Sequence, residues 1–367
     1  MRKTSKASQS KSKPNKTKKR EHSDRVTAKK VTDELFPRQW VGDLALLRRV
    51  INRIREINGP RMDLFAHKGR QAEHVKLATI STSIEIAQLA KVEKPEYVLW
   101  LVQHQYRKQL REEFLQHLTQ AGEEGADLVC FNELAYPTPL DEKGDNVFKN
   151  KVKKIVSQYE LSLIAGSYHD ATRFYNLSPV IAHSDKQKGT HAIAHAKMTS
   201  AVRAFELIRI PPNRQIRYYQ TKHGFFAVLI CIDIYDPSLI FRLIMKNHLY
   251  SGEEKIDFVF VPSFTANDAP KLAKACQDLS YASATLVVYV NCSADTPRHA
   301  AYLAGEEVTE SNTGIACEVK KLSPNLQLLS IAQDEYRRLR TQVSDGYSQV
   351  FDYLIGQKDG IRTNIKI

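Results

Sequence analysis

Three residues with reactive side chains lie beside, or between, the apolar segments of this sequence. Cys231 closes the most apolar run of the chain, 225–231, and Glu133 lies two residues beyond another apolar run, 127–131. Lys197 lies between them, 64 residues after Glu133 and 34 residues before Cys231. At these separations, only the fold can bring the three side chains together.

A cysteine, a carboxylate and a lysine in one site can perform nucleophilic catalysis. A thiol has a pKa of about 8.5, so it needs a nearby base or cation to attack near neutral pH. Glu133 is suited to take the thiol proton and later to protonate a leaving amine. Lys197 is suited to stabilise the thiolate and an oxyanion, with the backbone N–H of Ile232 as the second oxyanion donor. Asp236 followed by Pro237 predicts a helix that begins at about residue 237, and its dipole also favours a thiolate.

The surrounding sequence predicts an α/β domain that begins at about residue 74. The predicted strands are the short apolar runs 75–80, 127–131, 161–165, 225–231, 257–261 and 286–291. The predicted helices lie near 106–122, 146–158, 238–248 and 269–282. Alternating strands and helices favour a sheet whose ligand crevice lies beyond the carboxyl ends of the strands, where the reactive residues fall.

The sequence around these residues resembles the nitrilase (carbon–nitrogen hydrolase) superfamily. The resembling signatures are 125–137, which reads GADLVCFNELAYP, then Lys197, and then 229–237, which reads LICIDIYDP. Supporting stretches are 165–169 with Tyr175 and Asn176, and 261–264 with 287–292. The resemblance spans roughly residues 74–340.

This resemblance implies an αββα sandwich with a Glu–Lys–Cys triad and no metal or organic cofactor. By position, Cys231 is the nucleophile of a covalent acyl-enzyme, Glu133 the base and acid, and Lys197 the oxyanion-binding cation. Glu206 matches a second glutamate of many members and would orient Lys197 or the attacking water. The resemblance favours an amide over a nitrile as substrate, water or an amine as the acceptor, and a homodimer or larger assembly.

Some positions depart from the family pattern and change the surroundings of the site. Asn132 stands where the family has a proline, and Ile232 stands where an aromatic residue follows the cysteine. The stretch 234–237 replaces the usual Arg-Phe-Pro. Residues 297–314 fit the closing strands of the family poorly, and we interpret them as a variable loop near the site entrance.

Composition limits the class of protein. The 367 residues are 42% hydrophobic, which suffices for a large core, and no apolar run is long enough for a transmembrane helix. The N-terminal residues contain no apolar segment of the kind that a secretory signal has. Five cysteines without a C-x-x-C pair argue against a disulfide framework or zinc ribbon and for a reducing compartment. We therefore expect a cytoplasmic protein without membrane contact, or a nuclear one if the source is a eukaryote.

The net charge of +13 belongs almost entirely to one end of the chain. Residues 1–30 contain twelve lysines and arginines against two acidic residues, which is +10 of the total. This segment is predicted to be a disordered basic tail that either solubilises the chain or binds nucleic acid or another anionic partner. The predicted order continues with a helical extension, 31–73, whose amphipathic helix covers 42–57. The hydrolase domain, 74–340, and a C-terminal segment, 341–367, follow.

Parts of the sequence also fit two other functions. A Cys–His hydrolase would use His195 or His223 as its base, although His223 is predicted to lie in a turn and His195 has a structural explanation beside Lys197. The histidines show no metal-ligand spacing. A catalytically lapsed scaffold, tethered to an anionic partner by residues 1–30, is the alternative from another class, and four intact polar groups in one crevice argue against it.

Overall fold

A computed structural model of the protein describes residues 62–64, 73–137, 142–184, 189–212, 216–249, 255–265, 267–292, 296–309 and 317–342. The predicted basic tail, the predicted helix 42–57 and nearly all of the C-terminal segment 341–367 lie outside these ranges.

The described residues form strands and helices that alternate along much of the chain. The strands are β1 Met62–Leu64, β2 His74–Ile80, β3 Leu89–Lys94, β4 Tyr97–Val102, β5 Leu128–Phe131, β6 Ser162–Ile164, β7 Tyr168–Asp170, β8 Tyr175–Ser184, β9 Gly189–Ala196, β10 Tyr218–Thr221, β11 Gly224–Val228, β12 Phe258–Pro262, β13 Leu286–Val290, β14 His299–Leu303, β15 Glu306–Glu307, β16 Cys317–Ser323 and β17 Leu326–Ala332. The helices are α1 His104–Glu123, α2 Glu142–Gln158, α3 Pro237–Leu249 and α4 Ala269–Ser283, and a further helix, α5, includes residues 333–342.

Two large sheets and one separate hairpin contain these strands. The first sheet has the order β1-β10-β11-β12-β13-β14-β15, with β11, β12 and β13 parallel. The second has the order β16-β17-β2-β5-β6-β8-β7, with β2, β5 and β6 parallel and β9 beside β8. Strands β3 and β4 form an antiparallel pair of their own. Each of the six predicted apolar runs overlaps one of the strands β2, β5, β6, β11, β12 and β13, which confirms the α/β prediction.

Side chains that alternate along β2 separate two apolar layers. Val75 and Leu77 belong to a core shared with the first sheet and with helices α3 and α4. Ala78 and Ile80 belong to a second core, which helices α1 and α2 cover. Successive side chains of a strand point to opposite faces, so a strand buried on both sides is apolar nearly throughout. The layers are therefore helix, sheet, sheet, helix, which is the predicted αββα sandwich.

The strand predicted over 225–231 is shorter in the structure. It ends at Val228, and a 3₁₀ helix, Cys231–Tyr235, begins at the cysteine. The φ angle of Cys231 is 50°, in the left-handed region, so the chain turns there instead of extending the strand. The apolar run in the sequence extends to Cys231 because Leu229 and Ile230, although they lie beyond the strand, are fully buried.

Two other segments differ from their predicted state. Within 297–314, the prediction of a loop is wrong for residues 299–303, which form β14 against β13 and bury Ala300 and Tyr302. Met62–Leu64 lies in the segment predicted to be helical, but it is a strand that pairs with β10 and covers its backbone edge. No helix in the described ranges is long and apolar enough to cross a membrane.

Candidate active site

Lys197 lies between two carboxylates. Its Nζ is 2.7 Å from Oε1 of Glu133 and 2.6 Å from Oε2 of Glu206. All three side chains are at least nine-tenths buried. The structure thus brings together three of the residues that the sequence singled out, although they lie up to 73 residues apart in the chain.

The ends of strands position these residues. Glu133 follows the carboxyl end of β5, and Lys197 follows β9, where its N–H donates to the carbonyl of Asn176. Glu206 follows a short 3₁₀ turn, and its Oε2 also accepts the N–H of Ala201 at 3.2 Å. Glu133 and Lys197 therefore lie just beyond strand ends, as predicted for the crevice, and the 3₁₀ turn brings Glu206 to Lys197.

Two buried polar side chains that were not singled out as site residues complete the charged cluster. Nδ2 of Asn176 donates to Oε1 of Glu133 at 2.8 Å and to Oε1 of Glu206 at 3.0 Å. Nε2 of His169 lies 2.7 Å from Oε1 of Glu206. Both residues lie in the stretches 165–169 and 175–176 that support the family resemblance, but nothing in the sequence shows that they are buried and need polar partners.

Cys231 is held at the start of its turn by a buried carboxyl group. Asp233 accepts the N–H of Ile230 at 3.1 Å and the N–H of Met198 at 3.0 Å. Ile230 directly precedes Cys231, and Met198 directly follows Lys197. Asp233 therefore connects the backbone of the cysteine turn to the backbone next to the lysine.

The helix predicted after the cysteine begins where expected. Helix α3 starts at Pro237, and Oδ1 of Asp236 accepts the N–H of Ser238 at 2.9 Å. The carboxylate satisfies a backbone donor that has no partner inside the helix. The predicted cap at Asp236 is confirmed.

The backbone of Phe264 contributes a donor from the first sheet. Its N–H lies 3.1 Å from Oε2 of Glu133 and also points toward the thiol of Cys231. The adjacent Thr265 is held by Asn291, whose side chain accepts its N–H at 2.9 Å and donates to its carbonyl at 3.1 Å. Parallel strands β12 and β13 end here, so this turn faces the one that carries Glu133.

Asn132, the departure from the family's proline, makes specific contacts next to Glu133. Its Oδ1 accepts the N–H of Thr82 at 2.8 Å, and its Nδ2 donates to the Glu133 carbonyl at 2.7 Å. Its own carbonyl approaches Gly166 so closely that a Cβ there would lie 2.1 Å from the oxygen. The φ angle of Gly166 is 70°, and glycine meets both demands.

Burial and neighbouring charges set the protonation states of the site. Burial raises the pKa of the Cys231 thiol far above its ordinary value, Glu133 raises it further, and Lys197 opposes them. Burial also lowers the pKa of Lys197, but the charges of Glu133 and Glu206 outweigh it and hold that pKa well above normal. For Glu206, burial raises the pKa, yet Lys197 and His169 bring it well below its usual range. The resting site is therefore a neutral thiol beside a lysinium.

The two histidines considered as an alternative base are engaged elsewhere. His195 bonds Tyr219 through Nδ1 at 3.1 Å, and burial lowers its pKa to about 3. His223 precedes β11, at the strand end opposite Cys231, and its Nε2 lies 2.9 Å from the carbonyl of Glu160. Neither supports a Cys–His pair. Among the described residues, no three His, Cys, Asp or Glu side chains are grouped to hold a metal ion.

Comparisons with known proteins address the fold. No protein-family model and no curated protein sequence matches this chain. Among solved structures, an amidase of the nitrilase superfamily from Nesterenkonia AN1 is 10% identical, with a TM-score of 0.50 over 78% of this chain and 99% of that one. A CN-hydrolase superfamily protein from Xanthomonas campestris, solved with an arsenic adduct in its active site, is also 10% identical. Its TM-score is 0.51 over 73% of this chain and 94% of that one. The chain has the nitrilase-superfamily fold.

The nitrilase fold explains why residues distant in sequence meet at one site. Glu133 belongs to the second sheet and Cys231 to the first, and both follow the carboxyl ends of parallel strands. Glu133 and Glu206 each contact Lys197. The charges of all three residues shift the pKa of the Cys231 thiol. Ile232 lies in the first turn of the 3₁₀ helix, next to the cysteine.

Proposed function

We propose that the protein hydrolyses non-peptide carbon–nitrogen bonds, amides in particular, through a covalent acyl-enzyme on Cys231. The observation that carries this proposal is the buried Glu133–Lys197–Glu206 cluster beside a cysteine in a left-handed turn, within a nitrilase fold. The similar Nesterenkonia protein is an amidase, and this supports an amide over a nitrile.

In the first half of the reaction, Glu133 acts as the base. Because burial keeps the Cys231 thiol protonated, attack on the amide carbon requires the proton to leave at the same time. Glu133 takes that proton, the Sγ–C bond forms, and the C–N bond breaks as Glu133 returns the proton to the departing amine. The products of this half are a thioester on Cys231 and ammonia or an amine.

In the second half, water resolves the thioester. Glu133 removes a proton from water, the hydroxyl attacks the thioester carbon, and the thiolate leaves and regains a proton. The carboxylic acid product is then released. This half uses the same Glu133 carboxylate as the first half. The contacts of that carboxylate with Asn176, Lys197 and Phe264 keep it in one position for both steps.

Lys197 and Ile232 are the proposed oxyanion partners. A lysine ammonium has three N–H donors, and two of those of Lys197 point to Glu133 and Glu206. We assign the third to the oxygen of the tetrahedral intermediate. The backbone N–H of Ile232 is the second donor, since the first N–H groups of a helix have no partner within it.

The cost of the buried cluster argues for catalysis over a lapsed scaffold. Burying a lysine and two carboxylates costs several kcal/mol per ion before their mutual attraction offsets it. Apolar residues of similar size would satisfy a purely structural role equally well. A cluster of this kind beside a cysteine is expected where chemistry requires it.

The test is the relative reactivity of the five cysteines. All five are buried free thiols, so they form an internal control set. We expect iodoacetamide at pH 7 to modify Cys231 first, and the Glu133→Gln and Lys197→Ala variants to slow that modification while the other four sites are unchanged. A screen of small amides with the wild type and with Cys231→Ala follows, and turnover should disappear in the variant.

Two results would contradict the proposal. One is turnover of an amide by the Cys231→Ala variant. The other is Cys231 that reacts no faster than Cys276, a fully buried cysteine of helix α4.

A further inference from the structure

The outer edge of β4, which faces away from β3, contacts the segment that carries Glu206. The N–H of Val98 donates to the carbonyl of Leu207 at 2.9 Å, and the N–H of Leu207 donates to the carbonyl of Val98 at 2.9 Å. Because both backbone groups of Val98 point away from β3, its pair with Glu93 is of the non-hydrogen-bonded type. The edge of β4 thus fixes the residue directly after Glu206.

The same edge also reaches the carboxylate of Glu206 through a histidine. Two residues along β4, the backbone N and O of Trp100 lie 3.0 Å and 2.7 Å from Nδ1 of His169. Nε2 of His169 lies 2.7 Å from Oε1 of Glu206. The indole N–H of Trp100 donates to the carbonyl of Ala204 at 3.2 Å, in the turn that precedes Glu206. Glu206 is therefore held from both its backbone and its side chain.

The position of Nδ1 between an N–H and a C=O suits both charge states of the histidine. With a proton on Nε2 alone, the ring donates to Glu206 and Nδ1 accepts the N–H of Trp100. With a second proton on Nδ1, the ring donates to the Trp100 carbonyl and still donates to Glu206. The contact with Glu206 persists without rotation of the ring.

We infer that His169 is a positioning residue that couples the outer edge of β4 to Lys197 through Glu206. This inference rests on the proposed thiol chemistry of Cys231. Lys197 is shared between Glu133 and Glu206, so the direction of the Glu206 carboxylate decides where the ammonium lies. Without His169, the negative charge of Glu206 would lose one of its hydrogen-bond partners. The carboxylate would then attract Lys197 more strongly and draw it away from Glu133 and from the cysteine.

The first experiment measures the rate of Cys231 alkylation by iodoacetamide at pH 7. We expect His169→Leu to slow it about tenfold to a hundredfold, the range of a lost charge-assisted hydrogen bond. The His169→Gln variant, whose amide N–H can donate to Glu206, should stay within a few-fold of the wild type. His74→Leu, at an exposed strand position, is the matched control and should leave the rate unchanged. Rescue by glutamine separates positioning from a general loss of stability.

The second experiment tests the edge of β4. Val98→Pro removes the N–H that bonds Leu207, whereas Glu93→Pro removes the outward N–H of the opposite strand, on an exposed residue. We expect Val98→Pro, and not Glu93→Pro, to slow alkylation of Cys231 and to speed hydrogen exchange in the peptide around Leu207. Equal effects of the two prolines would overturn the coupling through β4.

The outcomes distinguish this inference from the proposed function. If Cys231 of the wild type reacts fast and His169→Leu reacts equally fast, the inference fails and the proposed function stands. If Cys231 is inert in the wild type, the proposed function fails, and hydrogen exchange around Leu207 decides the inference. Faster exchange in both His169→Leu and Val98→Pro would then support it, and unchanged exchange would overturn it.

Discussion

Asp233 is a fully buried carboxyl group that accepts the backbone N–H groups of Met198 and Ile230. Burial raises its pKa from 3.8 to about 7, with Lys197 opposing. Between about pH 4 and pH 7 the folded protein keeps this proton while the unfolded chain releases it. The folded state therefore holds this proton more strongly, and the contribution of Asp233 to stability falls as the pH rises through that window.

Replacing Asp233 by asparagine should remove this part of the pH dependence. The loss in unfolding free energy between pH 4.5 and pH 7.5 should be smaller in Asp233→Asn than in the wild type, by on the order of 3 kcal/mol. Urea unfolding at both pH values measures it. Asp278→Asn, at an exposed carboxylate, is the control and should follow the wild type. Parallel pH profiles for Asp233→Asn and the wild type would contradict the prediction.

Single residues differ in how far the sequence could identify them. Cys231, Glu133 and Lys197 were identifiable because each has a reactive side chain at a predicted strand end or within a recognisable signature. His169 and Asn176 were not, because their role depends on which way they point in β7 and β8. Those strands are adjacent and antiparallel, and pairing of this kind cannot be deduced from local sequence. Which residues of two paired strands lie opposite each other depends on the register of the strands, and only the fold supplies it.

The turn that carries Cys231 connects strand β11 to helix α3 through a left-handed residue. A side chain at φ 50° is strained, and glycine is the residue that tolerates this conformation. We therefore expect Cys231→Gly to be more stable than Cys231→Ala, by about 1 kcal/mol in unfolding free energy. The turn holds the buried thiol between the strand and the helix, where we propose that the nucleophile lies.

Helix α4 provides the control for this prediction. Cys276 is fully buried inside α4, where glycine should be less stable than alanine by about 1 kcal/mol. Urea unfolding of the four variants tests whether the order of Gly and Ala reverses between the two positions. The same order at both would mean that the Cys231 turn carries no backbone strain.

Elements were predictable from sequence to the extent that their burial was uniform. The strands β2, β5, β6, β11, β12 and β13 lie in the interior of the two large sheets, so their sequences are mostly apolar, and the sequence predicts each of them. The hairpin β3–β4 was missed because it lies apart from both sheets and its residues are partly exposed. Strand β3 reads LAKVEK and has no apolar run, whereas β4 reads YVLWLV, an apolar run that was an available signal for a strand.

Charge is divided unequally over the whole molecule. Residues 1–30 hold +10 of the net +13, which leaves +3 for the other 337 residues. The exposed lysines of the described part are often matched by acids, as for Lys274 with Asp278 and Lys320 with Glu124. Affinity for a polyanion should therefore depend on the tail and not on the domain that holds Cys231.

Deleting residues 1–30 should abolish binding to single-stranded RNA while leaving the site intact. Each phosphate contact on a single strand contributes about −0.7 to the slope of log affinity against log salt concentration. Replacing the basic run Lys16, Lys18, Lys19 and Arg20 by glutamine should therefore reduce the slope by about 3. Fluorescence anisotropy with labelled poly-U, in a salt series from about 50 to about 200 mM, measures this slope. Cys231 alkylation and the melting temperature should be unchanged in both variants, because neither alters residues of the sandwich. Binding that survives the deletion with its full salt dependence would place the anionic partner on the folded domain, against this prediction.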